Sequence, residues 1–186
     1  DFDVLVIAVG VRPNTSLVKD AGGEVRRGIA ADDTGKTTLP DVYAAGDCAE
    51  SFDISAGVNR VLALLPNAYM QGNTAGINMA GGKASFDQAI PMNAIGFMGL
   101  HIITAGTYDG ETYVRRDGEN YKILFYKNDV LKGYILIGDV ARAGIYTALI
   151  RNRTPLSSID FKLICEKPQL MAFTARTRRD LLSKQQ

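Results

Sequence analysis

"LPDVYAAGDCAE", residues 39–50, runs four small or apolar residues, 42–45, straight into Gly46 and Asp47. So short an apolar run reads as a buried strand, and the pair that ends it has two readings. An aspartate just past a strand commonly caps a turn. In an open α/β sheet the same place is the carboxyl end of a strand, where ligands bind. There Gly46 admits a ligand closely and Asp47 accepts a hydrogen bond from a sugar-like hydroxyl. Spacing alone leaves both readings open.

Upstream, "DVLVIAVG" (3–10) carries a continuous apolar run over 4–9. A strand apolar on both faces needs a neighbour on each side and helices above and below. Nothing earlier in the chain supplies them and the first residue is Asp1, so the chain is expected to be a piece that begins inside a domain. "GVRPNTSL" turns the strand through Pro13 and Asn14, and a short helical turn over 15–23 closes on Gly22-Gly23. "GIAADDTGKTTLP" (28–40) reads as a short strand and a loop.

Downstream, "PNAYMQGNTAGINMAGG" (66–82) is the clearest helix: Pro66 suits a first turn and Gly81-Gly82 close it. Ala68, Gly72, Gly76 and Ala80 recur every four residues, a smooth stripe for close approach of another backbone or a flat ring. Asn67, Gln71, Asn73 and Asn78 argue against a membrane span. After Lys83 come short strands rich in aromatic and β-branched residues, "MNAIGFMGLHIITAG", "ETYVRR", "NYKILFYK" and "VLKGYILIG". Asp109-Gly110, Asp117-Gly118 and Asn128-Asp129 separate them, which predicts an antiparallel β-meander. Asp139 is placed to N-cap a following helix, and a basic amphipathic stretch over 168–183 closes the chain.

Twenty-one Lys and Arg against 20 Asp and Glu give a net charge of +1, which offers no field for nucleic acid or an anionic membrane. No apolar run approaches the roughly 20 residues that span a bilayer. Cys48 and Cys165 make no metal spacing and suit a reducing cytoplasm, where both are expected to be small structural residues. One histidine, His101, excludes a His-rich metal centre, so no metal site is expected.

"TTLPDVYAAGDCAE" (37–50) resembles the second flavin motif of the pyridine nucleotide-disulfide oxidoreductases, and "VIAVGVRPN" (6–14) resembles their segment that leaves the NAD(P)H domain and passes both cofactors. Val9 departs from the family's usual Thr. The resemblance implies the C-terminal portion of the FAD/NAD(P)-binding two-dinucleotide-binding-domain fold, an α/β piece, then a small α+β domain with the meander. "LKGYILIGDVARAGIYTALIRNRTPL" (131–156) is similar to the C-terminal domain of rubredoxin reductases and of nitrite reductase flavoproteins. Residues 1–22 would end the NAD(P)H domain, 23–85 form the C-terminal half of the FAD domain, and 86–186 an acceptor or interface domain.

By that resemblance Asp47, which follows Thr37 or Thr38 and the 42–45 strand, binds the FAD ribityl chain and Gly46 admits it. Gly10 lies at the cofactor crossing, and backbone groups of Asn67 and Ala68 at the helix start face the reduced flavin. FAD and NAD(P)H are the implied cofactors. An electron-acceptor protein or small molecule, and a second copy of the chain, are the implied partners. No two glycines are separated by one residue, so both GxGxxG phosphate loops and any redox cysteine would lie upstream. Arg176, Arg178 and Arg179 have two readings, a surface facing an acidic electron carrier or plain solvated helix charges. The rival readings are a thiol-dependent NADH oxidase or coenzyme A-disulfide reductase, and an inactive dimerisation module. No catalytic residue is assigned.

Overall fold

A computed structural model describes residues 2–183. The chain divides into two compact units, one of residues up to Ser51 together with Arg60–Phe86, the other of Phe52–Asn59 together with the residues from Asp87 on.

The first unit opens with an extended segment rather than the expected strand. Residues 4–9 join no ladder, and Val4, Val6 and Val9 are 77%, 80% and 92% exposed. A two-faced apolar strand requires partners on both sides, and no described residue pairs with it. Helix α1 (Ser16–Asp20) follows and buries Val18. Residues 24–50 form a tight web of single bridges: Ile29 runs parallel to Ala49, and Lys36 pairs with Tyr43. The 42–45 run is therefore a bridge in a loop and not a full strand. Its apolar residues still build a small core, in which Val18, Ile29, Ala44 and Ala49 meet under Leu39. Thr37 Oγ1 donates to the Val42 carbonyl (2.9 Å), and Thr38 Oγ1 accepts from Glu24 N–H (2.8 Å). Strands β1 (Glu50–Asp53) and β2 (Val58–Val61) make a two-stranded ribbon that straddles the division of the chain.

Helix α2 (Leu65–Met79) begins as expected, with Pro66 in its first turn. It packs mainly on the row beside the one the small residues mark. Asn67, Gln71, Thr74 and Ala75 are buried, whereas an added Cβ at Gly72 or Gly76 would meet nothing within 4 Å. Asn78 ties the end of the row down: its Nδ2 donates to the Thr34 and Ala84 carbonyls (2.9 and 2.8 Å), and its Oδ1 accepts from Ala84 N–H (2.9 Å).

The second unit is a five-stranded antiparallel sheet, β3 (Met92–Phe97), β4 (Leu100–Gly106), β5 (Glu111–Asp117), β6 (Asn120–Lys127) and β7 (Val130–Ile137), in the order β3-β4-β7-β6-β5. Strands β5 to β7 form the expected meander, and the β3–β4 hairpin adds to the free edge of β7. One face carries Ala105, Leu124, Tyr134 and Leu136 into a core completed by helices α3 (Ala143–Arg151) and α4 (Phe161–Glu166). Tyr134 and Tyr146 stack 5.5 Å apart; Tyr134 hydroxyl pairs with Thr147 Oγ1 (2.8 Å) and Tyr146 donates to the Ile164 carbonyl (3.0 Å). Residues 52–59 complete this unit: Ile54 joins its core, Ile54 N–H donates to the Ala89 carbonyl (3.1 Å), and Thr107 Oγ1 donates to the Ser55 carbonyl (3.1 Å).

Asp139 does not cap α3. Its Oδ1 accepts from Ala141 N–H (3.0 Å), and the helix starts only after Arg142, whose left-handed backbone (φ +62) breaks the path between them. Asp160 does cap α4, accepting from Leu163 N–H (3.0 Å). Within the basic closing stretch, helix α5 (Ala175–Ser183) leaves Arg176 and Arg179 exposed, and Arg178 reaches Met171 Sδ (2.8 Å).

Candidate functional site

At residue 46 the chain leaves an extended Ala45 and turns through one 3₁₀ turn, Gly46–Cys48. Gly46 sits at φ +83, a conformation that L side chains rarely adopt. A Cβ placed on it would lie 3.6 Å from the Ala68 side chain, so the turn faces the first turn of α2. The Gly46 N–H donates to Gln71 Oε1 at 2.6 Å. Asp47 follows with an exposed side chain. Gly46, Asp47 and Ala68 are thus brought together, beside Asn67, which is fully buried. Gly10 is not gathered with them in the same way: at φ +104, it stands where an added Cβ meets nothing within 4 Å.

The helix start needs one revision. Ala68 N–H already donates to the Leu64 carbonyl (2.9 Å), the first bond of the helix. It is not a backbone donor for a ligand; Ala68 contributes a small side chain opposite Gly46 instead. The N–H groups of Leu65 and Asn67 precede that first bond, and the positive end of the helix dipole lies there.

Two residues that sequence reasoning passed over hold the site in shape. Glu50, 5% exposed, receives Arg27 N–H (3.0 Å) and Gly28 N–H (3.2 Å) on Oε1 and the Arg26 guanidinium (2.9 Å) on Oε2. It fastens the loop before Ile29 to the segment just after the Gly46 turn. Gln71 reaches the turn from the helix side. Its position four residues after Asn67, on one helix face, was the available signal.

The cysteines are placed as small structural residues. Cys48 is half-buried, its thiol 3.6 Å from the Ala45 carbonyl, and Cys165 is buried. Burial pushes the Cys165 thiol up to about 11, against a partial pull downward from Lys122. We expect Cys165 in the folded protein to resist a thiol-specific reagent at pH 8, and to react once denatured. Stability should follow. The folded thiol keeps its proton to about pH 11 and the unfolded one only to about 9. This contribution is therefore complete below pH 9 and lost between 9 and 11. Denaturant titrations across that range, with Cys165→Ala as reference, measure it.

The described residues hold no group of three or more metal-binding side chains, and no helix among them is long and apolar enough to cross a membrane.

The mixed α/β architecture matches that of FAD- and NAD(P)-linked oxidoreductases. Residues 1–72 match the model of the pyridine nucleotide-disulphide oxidoreductase family, and residues 91–154 match the rubredoxin NAD+ reductase C-terminal domain. Residues 1–72 thus belong to the pyridine nucleotide-disulphide oxidoreductases, an enzyme family that uses FAD and NAD(P)H. The chain is 32% identical to the epsilon subunit of NADH-dependent phenylglyoxylate dehydrogenase from Aromatoleum evansii, over 88% of this chain and 41% of that protein. It is 30% identical to NADH-rubredoxin oxidoreductase from Clostridium acetobutylicum, over 74% of this chain and 36% of that one. The crystal structure of the Clostridium acetobutylicum NADH:rubredoxin oxidoreductase superposes with a TM-score of 0.61, covering 78% of this chain and 38% of that one. A NAD-dependent persulfide reductase from A. fulgidus, 20% identical, shares the fold over 98% of this chain and 39% of that one, with a TM-score of 0.76. The chain spans about two fifths of the length of these relatives.

Proposed function

We propose that this chain supplies the ribityl-binding turn and the flavin-facing helix start of an FAD-dependent NAD(P)H oxidoreductase that passes electrons to a further acceptor. The observation that carries this is the Gly46–Asp47 turn, set against the first turn of α2 with an exposed carboxylate at its tip. Asp47 accepts a hydrogen bond from a ribityl hydroxyl, and the left-handed Gly46 lets the polyol pass over bare backbone. When bound, FAD would supply the hydride-accepting and electron-donating chemistry between NAD(P)H and the acceptor. This chain's part is to orient the flavin and, through the positive end of α2 near Leu65 and Asn67, to favour its reduced, anionic form. Gly10 keeps its place at the cofactor crossing.

In this reading residues 1–22 close the NAD(P)H domain, 23–85 belong to the FAD domain, and 86–186 form the acceptor-side or interface domain of a cytoplasmic enzyme. A redox protein is the favoured acceptor, because the domain matched by residues 91–154 and one of the relatives are both named for rubredoxin. A homodimer is favoured by the sheet face turned away from α3. Its cross-strand rows read Ile95–Ile102–Ile137–Tyr121 and Thr104–Ile135–Ile123–Val114, and Ile95 and Val114 are 56% and 50% exposed.

Purification of the intact polypeptide to which the chain belongs tests the assignment. Yellow protein with an oxidised-flavin spectrum that bleaches anaerobically on NADH or NADPH is the expected result; colourless protein that takes up no FAD overturns it. The isolated chain, without a pyrophosphate loop, is expected to be colourless.

A further inference from the structure

Gln71 is 8% exposed and its two amide atoms meet different fates. Oε1 accepts from Gly46 N–H at 2.6 Å, while Nε2 is buried and has no hydrogen-bond partner. Turning the amide over gives no relief, because Nε2 would then face another donor. Ser51 Oγ is a second buried polar atom without a partner. Both side chains line one small cavity, which Thr74, Asp32, Ala44 and Phe86 help to enclose, and whose volume is about 20 Å³. One water needs roughly 10–15 Å³ on the same measure, together with at least two polar partners. Buried polar groups left unsatisfied are costly and rare. Two such groups on the wall of a one-water cavity share one remedy.

We propose that a single ordered water occupies this cavity, accepting from Gln71 Nε2 and exchanging a hydrogen bond with Ser51 Oγ. Gln71, locked in orientation by that water, is then the positioning residue of the Gly46–Asp47 turn. A rigid helix, through one amide, fixes a left-handed glycine whose neighbour carries the exposed carboxylate. The consequence for flavin affinity rests on the proposed function; the water and the grip on the turn do not.

A crystal structure of this chain, at a resolution that shows ordered solvent, should contain the water within hydrogen-bond reach of both atoms, and Ser51→Ala should empty or blur the position. A dry cavity in the unaltered chain overturns the water. Amide hydrogen exchange tests the grip. Gly46 N–H should exchange slowly in the unaltered chain and in Gln71→Glu, which keeps an acceptor, and about a hundredfold faster in Gln71→Met, which has similar length and none. Equal exchange in all three, or equal loss in both variants, overturns the positioning role. In the intact flavoprotein the same pair should differ about tenfold in FAD affinity, with Asp47→Ala as the control. If Asp47→Ala binds FAD normally, the flavin reading fails, while the solvent position and the exchange rates still decide this proposal.

Discussion

Asp47→Ala in the intact polypeptide is expected to raise the Kd for FAD by about 10- to 100-fold, the loss that follows when a hydrogen bond to a charged acceptor, worth about 1.5–3 kcal/mol, is removed. The side chain is exposed and lies at the tip of a turn, so its removal should change folding stability by no more than about 0.5 kcal/mol. Asp47→Asn keeps an acceptor oxygen and should fall between. Quenching of flavin fluorescence on titration measures the affinity, and a denaturant melt measures the stability. A loss of FAD together with an unchanged melt separates a ligand contact from damage to the fold. An unchanged Kd shows that the carboxylate only finishes a turn.

The second large effect is expected in the other unit. Gly133→Val should destabilise the five-stranded unit by more than about 4 kcal/mol. In the β4–β7 register Gly106 lies opposite Gly133. A Cβ on Gly133 would land on the carbonyl oxygen of Thr107, with the Ala105 carbonyl oxygen 2.9 Å away. Both obstacles are backbone. Thr107 N–H is bonded to the Lys132 carbonyl and Gly106 N–H to the Pro91 carbonyl, each at 2.9 Å. Relief means parting β4 from β7, the pairing that joins the hairpin to the meander. Loss of near-ultraviolet tyrosine ellipticity from Tyr134 and Tyr146 follows the event. Gly144→Ala is the control: the residue is exposed in the first turn of α3 with nothing within 4 Å of the added methyl, and the change should stabilise by roughly 0.5–1 kcal/mol.

The second unit was largely legible because its pattern is local. Two-residue turns at Gly118-Glu119 and Asn128-Asp129 lie between alternating apolar runs, and each hairpin closes on its own neighbours. The insertion of β4 beside β7 was not legible, since a cross-sheet pairing leaves no mark within one turn. In the first unit the ends of α2 were read correctly, while the polar row that it buries was not singled out. Small residues spaced four apart look like a packing stripe, yet Asn67, Gln71 and Asn78 go inward, because loop carbonyls and N–H groups need partners that a methyl cannot provide. Polar side chains on a helix ordinarily signal solvent, so only the loop they serve shows their use. Similarly, Gly46-Asp47 could be read as a turn, whereas the bonds between Gln71 and Gly46 and between Glu50 and the 26–28 loop exist only in the folded chain.

Residues 52–59 have a practical consequence. A cut before Asp87 would not yield the second unit, because Ile54, with its bond to Ala89, and Ser55, with its bond from Thr107, would be left on the other product. Anyone excising that region needs a graft or a rearranged order of termini that carries the octapeptide along.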